Sequence, residues 1–178
     1  MNHEKVPHEK LRSITHLILD VDGVLTDGTI AFSDRGEESK NFNVRDGHGL
    51  KMLMRYGIEI MLLTGRISKA VGHRARDLGI TGVFQGAKNK ADVLDEILES
   101  YALDPARIAY MGDDIVDVPV FNKVGFAITV PDAADYIRKK AHYVTAARGG
   151  SGAVREVCDM ILQAQDRWKE VEARYGIE

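Results

Sequence analysis

The sequence predicts an α/β domain: a three-layer sandwich around a mostly parallel sheet, with one β-hairpin projecting from it. Three observations carry this. Short continuous apolar runs recur, each ending in Asp, Thr, Gly or Pro; amphipathic helical stretches lie between them; and one segment breaks the alternation. Continuous apolar runs suit parallel strands covered on both faces, and strand–helix alternation suits helices that pack on those faces.

The first run, Leu17-Ile18-Leu19, ends in Asp20-Val21-Asp22-Gly23. Ile58–Leu63 ends in Thr64-Gly65-Arg66, Gly82–Gln85 in Gly86, Ile108–Met111 in Gly112-Asp113-Asp114, and Gly125–Val130 at Pro131. Helical patterns are read over Gly49–Tyr56, Ser68–Leu78, Lys90–Tyr101 and Ala133–Lys139. In such sheets the site lies outside the carboxyl ends of the strands, where these polar residues fall. The break comes at Thr29–Phe32 and Glu38–Val44, two predicted strands around Ser33-Asp34-Arg35-Gly36, whose glycine suits a hairpin turn. Ile30, Phe32, Phe42 and Val44 alternate onto one face and need cover. Either the hairpin, at about 29–43, folds back on its own domain, or it pairs with other subunits; the second reading is preferred. After Arg148-Gly149-Gly150-Ser151-Gly152, read as a mobile link, one long amphipathic helix is expected at about 153–175.

The chain has 178 residues, enough for one domain (1–178) with a full core. It is 44% hydrophobic and 29% charged, with a formal net charge of -3 and both signs dispersed, which argues against a nucleic-acid-binding surface. No apolar run is long enough to span a bilayer, and Met1–Ser13 has no signal-peptide core, so a cytoplasmic protein is expected. Cys158 has no partner for an internal disulfide and falls on an apolar helical stripe with Val154, Val157 and Ile161.

Asp20-x-Asp22-Gly23 carries the chemistry. Two carboxylates two residues apart can converge only if the backbone turns between them, and Gly23 permits that. Alone the pair is a weak signal. It gains weight from Thr64 at the end of the next long run, Lys90 opening a helix, and Gly112-Asp113-Asp114-x-x-Asp117 after a later strand. Thr64 is also read as a helix cap, Lys90 is preferred over Lys88 because Asn89-Lys90 opens the helix, and Asp117 is open between a supporting role and a helix-start cap.

Together these elements resemble the four signature motifs of the haloacid dehalogenase superfamily of phosphohydrolases, over nearly the whole chain, about Thr15 to Gln165. The resemblance implies a Rossmann-like sheet and Mg2+-dependent phosphatase activity. Asp20, Asp113 and the backbone carbonyl of Asp22 would bind the metal; Asp20 would be the nucleophile and Asp22 the general acid/base. Thr64 and Lys90 would hold the phosphoryl oxygens, with Asp114 and Asp117 supporting them. Such a site must supply roughly 20 kcal/mol, since phosphate monoesters are among the slowest substrates to hydrolyse unaided. The spans from Asp22 to Asp46 and from Thr64 to Lys90 leave no room for the cap domain many members insert, so a capless domain closed by neighbouring subunits is expected.

The stretches Asp20–Gly28, Phe42–Gly47, Thr64-Gly65-Arg66, Gly112-Asp113-Asp114 and Gly149–Glu156 sharpen the resemblance, to the family of 3-deoxy-D-manno-octulosonate 8-phosphate phosphatases. Members are tetramers built around such hairpins and serve lipopolysaccharide inner-core synthesis, which implies a homotetramer. A sister group acts on nine-carbon ketoaldonic acid 9-phosphates and commonly has Glu after Thr-Gly; Arg66 here favours the eight-carbon substrate. For an anionic sugar-acid phosphate, Arg66, Arg74 and Arg148 offer positive charge, His48 is read as lining the entrance, and His73 as a surface residue. A phospho-accepting signalling module has the same layers, but its acidic pair and phospho-acceptor lie on different strands; the order Asp-x-Asp-Gly first and Asp113 late argues against it. A catalytically silent scaffold is disfavoured by the intact Asp20, Asp22, Lys90 and Asp113.

Overall fold

The computed structural model describes residues 8–177, so Met1–Pro7 and Glu178, at the ends of the expected domain, lie outside the described residues. After α1 (His8–Arg12), β1 (His16–Leu19) enters the core; β2 (Ala31–Phe32) and β3 (Glu38–Ser39) form the hairpin. Then follow α2 (Val44–Arg55), β4 (Glu59–Thr64), α3 (Lys69–Leu78), β5 (Gly82–Gln85) and α4 (Lys90–Ser100). The chain continues through β6 (Ile108–Met111), α5 (Val118–Phe121), β7 (Phe126–Thr129), α6 (Asp135–Arg138), β8 (Tyr143–Val144), α7 (Ala153–Ala164) and α8 (Trp168–Tyr175).

The main sheet has six strands, all parallel, in the order β5-β4-β1-β6-β7-β8. Right-handed crossovers put α2 and α3 on one face and α4 to α6 on the other. Helix α7 packs against α2 and α1, and α5 against α4. Strands β1, β6 and β7 are buried almost throughout, which explains why they read as unbroken apolar runs. Because β1 is central, the chain reverses direction across it, and that switch opens a crevice at its carboxyl end. Leu19 is level with both Leu62 and Met111, so Asp20, Thr64 and Asp113 emerge at one edge of the sheet. No cap domain is inserted: only the hairpin separates β1 from α2, and only α3 separates β4 from β5.

The differences from expectation have local causes. Helix α2 begins at Val44 rather than Gly49, because the Asn43 side chain accepts hydrogen bonds from the Arg45 and Asp46 amides and caps it. Such a cap contributes about 1 kcal/mol. The hairpin strands are consequently short, and Val44 belongs to the helix. Gly36, at φ +75°, makes the hairpin turn, with its amide donating to the Ser33 carbonyl. The expected single C-terminal helix is two, since Asp166 adopts a left-handed φ of +59° between α7 and α8. The glycine-rich link is docked: the Gly150 amide donates to the Val24 carbonyl, and Asp46 accepts from the amides of Gly152 and Arg155. Cys158 is fully buried in the core. Among the described residues, no helix is long and apolar enough to cross a membrane.

Candidate active site

A cleft of about 500 Å³ opens at the carboxyl edge of the sheet. Asp20, Asp22, Thr64, Arg66, Lys90 and Asp113 line it. Asp114 and Lys88 line it too, and Asp117, bonded to Lys90, is fully buried.

Asp20 leaves β1 and is held at once: Oδ1 accepts from the Val21 amide at 2.7 Å, and Oδ2 lies 2.8 Å from Lys90 Nζ. Lys90 opens α4 behind the Asn89 cap, is 4% exposed, and also donates to Asp117 Oδ1 at 2.6 Å. Asp117 is saturated. Its Oδ1 also accepts from the Tyr110 hydroxyl at 2.5 Å, and its Oδ2 from the Asp113 and Asp114 amides at 3.0 and 3.1 Å. Asp117 anchors Lys90 and completes the capping box of the turn Ile115–Asp117, whose N-cap is Asp114, but its side chain makes no capping bond at the start of α5. Thr64 is buried and lines the cleft, whereas the N-cap position of α3 is Ser68, so helix capping does not account for Thr64.

Gly23 closes the turn after the acidic pair at φ +84°, and a Cβ there would collide with the Asp113 carboxylate. Glycine is thus needed twice, for the backbone angle and for the approach of Asp113.

The cleft concentrates negative charge. Carboxylate oxygens of Asp20, Asp113 and Asp117 lie within 4.8 Å of one another. Burial raises Asp20 to about 6, against the pull of Lys90. Burial, then the charges of Asp20, Asp117 and Asp114, raises Asp113 to about 7. Burial opposes the charge on Lys90, but Asp20 and Asp117 outweigh it and hold the ammonium above its ordinary value. Three carboxylates against one ammonium leave two negative charges uncompensated, which suits a divalent cation. Each Asp117 oxygen already accepts two hydrogen bonds and the residue does not line the cleft, whereas Asp20 and Asp113 do, so these two are the available ligands. A donor set of two hard carboxylates, with room for water and substrate oxygens, fits magnesium.

Asp22 has separate partners. Lys40 forms an ion pair with its Oδ1, and Arg66 Nε stands 3.9 Å from its Oδ2. Glu38 ties these two cations together, 2.9 Å from Lys40 Nζ and 2.6 Å from Arg66 Nη2, and the Arg66 and Lys40 hydrogen bonds hold it down to about 2. The hairpin therefore folds back on its own site, the reading that was not preferred, while Ile30 and Phe32 remain 44% and 62% exposed.

Three predicted substrate residues stand elsewhere. Arg74 is absent from the cleft: it bonds Asp77 and the Asn43 carbonyl and lies 5.8 Å from the centre of the Phe42 ring, bracing the hairpin exit. His48, exposed on α2, packs edge-on against Tyr175 in a separate recess with Trp168 and Ile177. Its position on the outer face of α2 turns it from the sheet edge. Arg148 borders an adjoining recess beside Asp113, 3.3 Å from Asp132. Sequence reasoning missed Lys40, Glu38 and Tyr110. A tyrosine within the apolar run Ile108–Met111 was a usable signal, because its buried hydroxyl needs a partner; Glu38 and Lys40 read only as strand residues.

The parallel sheet and its acidic cleft define a phosphoric monoester hydrolase of the haloacid dehalogenase type, and the haloacid dehalogenase-like hydrolase family matches residues 82–156. The chain is 47% identical over 93% of its length to the 3-deoxy-D-manno-octulosonate 8-phosphate phosphatase KdsC of Escherichia coli K12, covering 88% of that protein. It superposes on the crystal structure of the Yersinia pestis 3-deoxy-D-manno-octulosonate 8-phosphate phosphatase with a TM-score of 0.89 and 46% identity, over 91% of this chain and 88% of that one. The phosphatase of the same name from Moraxella catarrhalis, in complex with magnesium ion, phosphate ion and KDO, matches with a TM-score of 0.92 and 38% identity, over 94% and 97% of the two chains. The chain belongs to this family of phosphatases.

Tyr110→Phe removes one of the donors to Asp117 without touching the cleft. Loss of a hydrogen bond to a buried charge is expected to cost about 1–3 kcal/mol in urea-monitored unfolding. An unchanged midpoint would show that the hydroxyl is not part of the Lys90 anchor.

Proposed function

We propose that this protein is a cytoplasmic, magnesium-dependent phosphatase that hydrolyses 3-deoxy-D-manno-octulosonate 8-phosphate to the free sugar acid and phosphate, in lipopolysaccharide inner-core synthesis. The observation that carries the reading is the convergence of Asp20, Asp22, Thr64, Lys90 and Asp113 in one cleft of a chain so close to the family.

Asp20 and Asp113, with the backbone carbonyl of Asp22, would hold magnesium, whose charge when bound offsets the repulsion between a phosphate dianion and a carboxylate. Asp20, fixed by the Val21 amide and Lys90, attacks phosphorus to give an aspartyl-phosphate. The leaving group is a sugar alkoxide, which departs poorly without a proton. Asp22 protonates it, then takes a proton from the water that cleaves the intermediate, and so returns to its starting state. Lys90 and Thr64 hold phosphoryl oxygens, while Asp117 keeps Lys90 in place and Asp114 caps the turn beneath. Arg66, 42% exposed beside Asp22, offers charge to the sugar carboxylate. Arg148 borders the far side of Asp113, where it can face substrate.

The same machinery would serve a nine-carbon ketoaldonic acid 9-phosphate. The two substrates should be compared side by side with magnesium: a large preference for the eight-carbon ester, abolished by EDTA, is expected. Preference for the nine-carbon ester would overturn the substrate but keep the chemistry, and no phosphate release from either would overturn both. In the same assay Asp20→Asn should lower kcat by on the order of 10⁶; near-normal turnover would remove Asp20 from its role.

The open cleft needs cover, and the exposed Ile30 and Phe32 on the hairpin support association into a homotetramer through this element. Phe32→Asp should sediment as a smaller species than the parent protein. An unchanged assembly would place the interface elsewhere.

A further inference from the structure

The Asp22 side chain is anchored from the hairpin. Lys40 pairs with Asp22 Oδ1 and stands 2.9 Å from Glu38 Oε1, and its side chain is only 1% exposed. Lysine is almost never so buried unless paired. Glu38 in turn receives Arg66 Nη2 at 2.6 Å. Lys40 and Arg66 thus bridge Asp22 and Glu38, the kind of polar network that rigidifies its members.

Only Oδ1 of Asp22 is hydrogen-bonded in the network, and Arg66 Nε stands 3.9 Å from Oδ2. Oδ2 is buried and accepts no hydrogen bond among the described residues, although Asp22 lines the cleft. A carboxylate free to turn about its last torsion presents either oxygen in many orientations, because that torsion is broad. Fixing one oxygen leaves the other in a single place.

We propose that Lys40 is the positioning residue for the general acid/base. It clamps Asp22 Oδ1 so that Oδ2 meets the departing alcohol oxygen and then the attacking water, while Glu38 aligns Lys40 and Arg66 together. The inference rests on the role given to Asp22 above. Lys40 contacts neither phosphate nor sugar and gives up no proton. It makes the hairpin part of its own chain's catalytic machinery.

The test compares two phosphate esters. A sugar-acid phosphate leaves as an alkoxide and needs the proton, whereas p-nitrophenyl phosphate leaves as a stabilised phenolate and needs it little. The constant kcat/KM reports steps through departure of the leaving group. A misplaced catalytic group costs about 10²-fold. Lys40→Met should therefore lower kcat/KM roughly 10²-fold on the sugar-acid phosphate through kcat, with KM within about threefold, and far less on p-nitrophenyl phosphate, whose turnover also reports a folded site. Lys40→Arg should restore most of the loss on the sugar-acid phosphate. Equal losses on both esters, or a raised KM with unchanged kcat, would overturn the positioning role and leave the phosphatase reading standing. Wild-type protein that hydrolyses neither ester would overturn the phosphatase reading, and this inference with it.

Discussion

The arrangement of this site depends on how two lysines divide a pair of carboxylates. Asp20 and Asp22 lie two residues apart at the end of β1, and a phosphatase needs them to act differently. Lys90 takes Asp20 together with Asp117; Lys40 takes Asp22 together with Glu38. Each carboxylate thus has its own lysine, and each lysine a second carboxylate. Like charges disfavour one another's ionised form, and Lys90 opposes that pressure at Asp20, the carboxylate that must be free to attack. The remaining imbalance, around Asp20 and Asp113, is left for the metal.

The fold serves that division. The central position of β1 puts Asp20 between the ends of β4 and β6, which bring Thr64 and Asp113. Helix α4 delivers Lys90 from one side, and the hairpin delivers Lys40 and Glu38 from another. In place of a cap domain the chain has a short, charged element whose inner edge pairs with the site and whose outer edge is apolar. These two edges give one small hairpin both an intramolecular role and a surface that asks for cover. Asp46 and Asn43 hold its exit against the Gly149–Gly152 loop, so the motif turn Gly23–Asp27 is buttressed on both sides.

Most of the sheet was legible in the sequence, because strands buried on both faces leave continuous apolar runs and each run here ends in Asp, Thr, Gly or Pro. The central cluster was legible for the same reason: Asp20, Asp22, Thr64, Lys90 and Asp113 occur at strand ends or helix starts and meet in one cleft. Pairings distant in the chain were not. Nothing in Glu38-Ser39-Lys40 signals a contact with Asp22, and Arg74 looks like a substrate ligand until Phe42, Asn43 and Asp77 are found around it. The break between α7 and α8 was hidden too, since Asp166 carries a positive φ without the glycine that would announce one.

The central claim is that Asp20 bonds to phosphorus, so that hydrolysis proceeds by two in-line displacements with Asp22 serving both. The most direct test is the stereochemical course at phosphorus, measured with an ester whose phosphate is made chiral by oxygen isotopes and one sulfur. Each in-line displacement inverts the centre, so two of them return it. Overall retention of configuration is the predicted result. Inversion would mean that water attacks the ester directly, and would contradict the assignment of Asp20 as nucleophile.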